Sequence, residues 1–112
     1  MIKASFMRTE KNGVRLEVIG HSNHGEPGED IVCAAVSGIV YGLCGYLGNF
    51  CVESLKKCIL DPGHALIVCG DGCAEAMKHT YIALLQIAIS YPERLLVSEQ
   101  VWGFRIRAAA EK

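Results

Sequence analysis

Apolar and polar positions change period several times along the chain, and each change marks an element. Residues 2–9 alternate loosely and predict a strand. Lys11-Asn12-Gly13 is a hairpin turn signal. Val14-Arg15-Leu16-Glu17-Val18-Ile19 alternates apolar and charged side chains, which predicts a half-buried strand ending at Gly20. A loop over residues 22–29 follows. A long apolar run then predicts a helix from Ile31 to about Lys57, with Lys56 and Lys57 favourably placed at its C-terminus. Asp61-Pro62-Gly63 reads as a turn and His64 to Cys69 as a short strand. Asp71 caps a second helix, whose Ala74, Met77, Tyr81, Leu84, Leu85 and Ala88 follow helical spacing. Pro92 stops it after Tyr91. Leu95 to Arg107 predicts one or two terminal strands, broken near Gln100 or Gly103. The order β-β-α-β-α-β gives an α+β fold, a sheet with two helices packed on one face.

Composition narrows this picture. The 112 residues argue for one domain over 1–112. A net charge of −1 provides no basic patch for direct nucleic-acid binding. The N-terminus lacks the apolar stretch and cleavage site of a signal peptide. Six cysteines without an export signal therefore predict free thiols in a reducing, cytoplasmic setting. Ile31 to Val52 is 22 residues without a charge, long enough to span a bilayer. The strands around it need a helix to cover them, and four glycines, Ser37 and Asn49 dilute its apolarity. The expectation is no membrane, and a helix buried by the sheet and by a partner subunit in a homodimer. Cys44, Cys51 and Cys58 recur every seven residues and read as one helix face.

The chemistry concentrates between Gly20 and Ser37. Cys33 lies three residues after Asp30, a preferred N-cap type. The free N–H groups and dipole of a helix start stabilise a thiolate, so the Cys33 thiol is expected below its free value of about 8.5. The same N–H groups could hold an oxyanion. His21 can fold back across the loop as general base, and Asp30 either caps the helix or orients His21. Other readings remain open on the residues alone. Cys33 could be an inert small hydrophobe. His21, His24 and Cys33 could belong to a thiol or metal sensor dimer, although no fourth ligand stands at a usual spacing. Cys73, two residues after Asp71, is a rival helix-start thiol, approachable by His64 or His79. The preferred reading needs no metal and no cofactor.

Gly20-His21, followed by Gly28-x-Asp30-Ile31-Val32-Cys33-Ala34-Ala35-Val36-Ser37, resembles the signature of the bacterial ribosomal-processing cysteine proteases. The resemblance implies His21 and Cys33 as the catalytic pair, with Gly20, Asp30 and Ser37 in supporting positions. It implies a homodimeric endopeptidase acting on the N-terminal tail of large-subunit ribosomal protein twenty-seven. Ser22 stands where the family commonly has alanine, and Pro27 where many members carry a bulky aromatic. Both bear on substrate preference, as does the rest of the loop, Asn23, His24, Gly25, Glu26, Gly28 and Glu29. In such extensions apolar and aromatic residues precede the cut and basic ones follow, which suits the acidity of Glu26, Glu29 and Asp30. A non-catalytic assembly factor binding the same tail is the alternative.

Overall fold

The computed structural model describes residues 1–20 and 27–103, the side chains of residues 27–30 excepted. Strand β1, Ile2–Arg8, and strand β2, Val14–Ile19, form the expected antiparallel hairpin. Lys11 and Asn12 both take positive φ, 60° and 64°, inside a short 3₁₀ turn that reverses the chain. Helix α1 spans Pro27–Phe50, strand β3 Leu55–Asp61 and strand β4 His64–Cys69. Helix α2, Ala74–Ser90, follows a 3₁₀ turn at Asp71–Cys73, and strand β5 covers Leu95–Gln100. The five strands lie in the order β3-β4-β2-β1-β5, with β1 and β5 parallel and the other neighbours antiparallel.

One core joins the sheet to both helices. Ile2, Ala4, Phe6, Val14, Leu16 and Val18 point from β1 and β2 to the same face, as period-2 alternation requires. Val32, Val36, Val40, Leu43 and Leu47 form the facing stripe of α1, at helical spacing, and each is at most 5% exposed. Met77, Tyr81 and Leu84 complete the core from α2. The α+β class and the helices on one sheet face are as the sequence predicts.

Four local expectations are corrected. Helix α1 begins at Pro27 rather than after Asp30, because proline suits the first helical position, where no N–H is needed. Asp30 is thus the fourth helical residue and not its cap. Helix α1 also ends at Phe50, and Lys56 and Lys57 lie in β3, a strand absent from the predicted order. A register shift between Leu55 and Lys57 breaks the alternation that would have revealed it. Asp71 starts a 3₁₀ turn instead of capping α2. Finally, the cysteines are not all free thiols. Disulfides join Cys44 to Cys58 and Cys69 to Cys73, while Cys33 and Cys51 are free. Cys44 and Cys58 therefore face each other from a helix and a strand, not along one helix.

The C-terminal end of β5 is closed by a carboxylate. Glu99 accepts hydrogen bonds from the N–H groups of Val101, Trp102 and Gly103, at 2.9, 2.8 and 3.3 Å. Gly103 takes φ +65° there. Burial raises the Glu99 pKa, but the three N–H donors outweigh it and hold the carboxyl below its ordinary value. The turn seats Trp102 against Phe6 and Tyr81, with ring centroids 5.8 and 5.5 Å apart. The Tyr81 hydroxyl is raised, first by burial and then by the Glu99 charge. A lowered folded-state pKa stabilises above the unfolded value and loses that contribution as pH falls through the folded one. Glu99→Gln should therefore cost about 1 kcal/mol at neutral pH, a low value because the carboxylate is largely solvated. Denaturant titrations should show the gap between wild type and variant shrinking below about pH 4.5, the ordinary carboxyl value.

Candidate active site

The apolar stripe of α1 fixes the rotation of the helix, and that rotation decides where Cys33 goes. Val32 is fully buried, so its neighbour Cys33 stands at the edge of the core, half-buried. Ser37 follows one turn later on the same face. Both line a cleft of about 80 Å³ at the end of the sheet. Its floor is apolar, from Ile2, Val18, Val36 and Val40. Gly20, at the end of β2, lines it too, and so do Tyr41 of α1 and the β3–β4 hairpin through Leu60, Asp61, Gly63, His64 and Ala65. A larger groove of about 500 Å³ lies between α1 and α2, beside Gly38, Gly42 and His79, and holds neither Cys33 nor Gly20. Size alone would favour it. The cleft is the better candidate because it brings the free thiol of Cys33 together with Ser37 and Gly20.

The predicted site residues divide into three groups. Cys33, Ser37 and Gly20 come together in the cleft. His21, Ser22, Asn23, His24, Gly25 and Glu26 lie outside the described residues. Pro27, Gly28, Glu29 and Asp30 form the first turn of α1, so the loop is shorter than the expected 22–29. Cys33 is then the seventh helical residue rather than a first-turn one. The unpaired N–H groups of the first helical turn belong to residues 28–30, and the dipole effect falls off within that turn. Activation of Cys33 by the helix start does not follow from this geometry.

The rival thiol is excluded by its bonding. Cys73 is disulfide-linked to Cys69 and is 1% exposed. Neither histidine offered to it serves it. His64 directs its Nε2 to Glu17 Oε2, 2.7 Å away, and Glu17 also holds Arg15 at 2.9 Å. His79 is exposed in the helix groove. Among the described residues no group of three or more His, Cys, Asp or Glu could hold a metal ion. Tyr41 and the β3–β4 hairpin were not expected beside Cys33, and His64 was offered only as a partner of Cys73. No local pattern marks them, because strand pairing brings them to the cleft. Tyr41 alone had a signal, standing eight residues after Cys33 on the same helix face.

The sequence pattern of the family described as Cysteine protease Prp matches residues 1–95. The chain belongs to the Prp cysteine protease family. It is a cysteine protease, and its cleft thiol is Cys33. The "Ribosomal processing cysteine protease Prp" of Mycoplasma genitalium is 32% identical over 89 residues, covering 72% of this chain and 83% of that one. The protein of the same name from Bacillus subtilis is 42% identical over 43 residues, 38% of each chain. In fold, the chain matches the ribosomal processing protease Prp of S. aureus, solved with a covalently linked product peptide. The TM-score is 0.73 at 24% identity, over 89% of this chain and 100% of that one. It also matches SMU.848 from Streptococcus mutans with TM-score 0.67 at 23% identity, over 89% and 96%.

Gly20 is a constrained backbone position at the Prp cleft. It takes φ +124°, and a Cβ there would collide with the Met1 carbonyl oxygen. Its N–H bonds the Gly63 carbonyl at 3.0 Å, tying the end of β2 to the hairpin opposite. Gly20→Ala should cost at least about 2 kcal/mol and lower protease activity, through strain and displacement of the N-terminal strand. Gly48→Ala, where a Cβ meets nothing, should raise stability by about 1 kcal/mol. Urea denaturation of the two variants checks both signs.

Proposed function

We propose that this protease removes the N-terminal extension of large-subunit ribosomal protein twenty-seven, with Cys33 as nucleophile and His21 as general base. The observation that carries the reading is the free Cys33 thiol in one cleft with Gly20, the residue that precedes His21 in the chain. The names of the M. genitalium and B. subtilis relatives support ribosomal processing. The apolar floor suits the apolar residues before the cut. Cys33 Sγ attacks the scissile carbonyl carbon while His21 takes the thiol proton. His21 returns that proton to the departing amine, leaving a thioester on Cys33. Water then attacks the thioester, His21 accepting its proton, and the new carboxylate leaves as the thiol is restored. Ser37 and Gly20 border the reacting centre, Asp30 orients His21, and residues 22–29 meet the substrate. Glu26, Glu29 and Asp30 supply negative charge for the basic residues beyond the cut. The reaction takes place in the cytoplasm, without direct contact to nucleic acid.

A homodimer is part of this proposal, and a specific observation favours it. Outside the core stripe α1 exposes Ile31, Tyr41 and Tyr46 at 59%, 57% and 49%. Between them Gly38, Gly42 and Gly45 have nothing within 4 Å of a Cβ position, which leaves room for a second helix to approach. The 20-residue segment Ile31–Phe50 is apolar enough to cross a membrane by length and composition. Its core stripe accounts for part of that apolarity, and a dimer face would account for the rest.

Purified protein should cut a peptide carrying the extension, and Cys33→Ala should abolish cleavage while keeping the fold. Full activity of Cys33→Ala would overturn the nucleophile. His21→Ala should lower the rate at least about a hundredfold, the low end for general acid–base catalysis. A loss of only a few-fold would assign the base to another group. Sedimentation at micromolar concentration should give a dimer, and a monomer would remove that part of the proposal.

A further inference from the structure

Two disulfides occur among the described residues, and they sit in different mechanical situations. Cys69 and Cys73 are four residues apart and each 1% exposed, so their bond closes a short buried turn. Cys44 and Cys58 are half-buried and join two elements, α1 and β3, with Cα atoms 6.7 Å apart. Both elements are walls of the Cys33 cleft. Cys44 follows Cys33 by three helical turns on nearly the same face, and Tyr41, three residues before it, lines the cleft. Cys58 precedes Leu60 by two residues on one face of β3, and Leu60 lines the opposite wall. The crosslink therefore ties the two walls together just beyond the cleft.

The β3 wall needs such a tie to stay in place. Among the described residues it is an edge strand, hydrogen-bonded to β4 alone, with its pairing interrupted between Leu55 and Lys57. Edge strands with one partner and a bulge open at low cost. In the crosslinked state the cleft lined by these walls is about 80 Å³. Parting the walls would enlarge it for a peptide, and the crosslink opposes that.

We infer that Cys44 and Cys58 form a redox latch on the substrate cleft, shut when oxidised and free to open when reduced. The inference rests on the reading of the Cys33 cleft as the peptide site. The oxidant is a low-molecular-weight disulfide of the glutathione class. One protein thiolate attacks a sulfur of that disulfide, forming a mixed disulfide and releasing one thiol. The second protein cysteine attacks the mixed disulfide, forming the Cys44–Cys58 bond and releasing the second thiol. The two electrons and two protons lost by the protein dithiol thus end on the two released thiols. Half-burial leaves Cys44 and Cys58 within reach of such a reagent, and the burial of Cys69 and Cys73 does not.

The test uses Cys33→Ala protein, so that oxidation of the nucleophile cannot imitate the latch. It is equilibrated with reduced and oxidised glutathione, and the bonds are mapped by mass spectrometry of a non-reduced digest. Hydrogen exchange is followed in residues 39–44 and 58–61, and affinity is measured for a peptide carrying the ribosomal-protein extension. Oxidation should form Cys44–Cys58, slow exchange in both segments and weaken peptide binding about fivefold or more. Adding Cys44→Ser, or separately Cys58→Ser, should remove all three responses. A pair that stays reduced at every glutathione ratio, or a bond that forms without slowing exchange, would overturn the latch, as would equal affinity in the two states. If exchange responds but peptide binds neither form, the latch stands and the assignment of the cleft to peptide fails.

Discussion

The packing of the α1 stripe on the sheet is the constraint from which the site follows. Val32, Val36, Val40, Leu43 and Leu47 must all face the strands, which leaves the helix one rotation. With that rotation set, Cys33 and Ser37 can only stand at the rim of the core, above the strand ends. A thiol one position earlier would replace Val32, fully buried. One position later it would replace Ala34, on the exposed side. The accessibility of the Cys33 thiol is thus a consequence of hydrophobic phase, with no dedicated element required.

Much of this was legible in the sequence because it rests on local patterns. The alternation of Val14 to Ile19 fixes which side of β2 is buried, and the Lys11-Asn12-Gly13 turn fixes its pairing with β1. The Gly20–Ser37 block carried the family, and with it the thiol. What the sequence misassigned depends on contacts between distant residues. Cys44 and Cys58 fit a seven-residue helical repeat equally well, and only the return of the chain in β3 shows that they oppose each other. The charges of Lys56 and Lys57 read naturally as a helix end, because the irregular register at the start of β3 hides the period of two. The helix start was misplaced for a similar reason. Asp30 is a strong cap type, while Pro27 is followed by Gly28, and glycine argues against a helix.

The corrected helix start changes where activation of Cys33 must be sought. A first-turn cysteine would sit among free N–H groups, and its reactivity would be a property of the helix. A seventh-position cysteine has its own N–H committed to the helical ladder. Help must then come from a side chain brought to it, which puts the weight of the proposed mechanism on His21. Gly20 becomes important for the same reason. It is the last described residue before that histidine, and its conformation is set by contacts on two sides. The Gly63 carbonyl holds its N–H, and Met1 and Ile2 fill the space of a side chain.

The cleft draws on residues far apart in sequence. Ile2 comes from the first strand, Val18 and Gly20 from the second, Cys33 and Tyr41 from the helix, and Leu60 to Ala65 from the hairpin. No contiguous segment could form it, so the cleft exists only once the non-local sheet pairing is complete. That arrangement ties the cleft to one edge of the sheet. Among the described residues β1 and β2 are each bonded on both sides, whereas β3 has one strand neighbour. A disturbance that loosens β3 would widen the cleft while leaving the core stripe of α1 and the position of Cys33 in place. Cys33, the proposed nucleophile, is therefore held beside the buried stripe of α1, and the opposite wall by an edge strand. Such a division lets a protease keep its chemistry fixed while its opening varies.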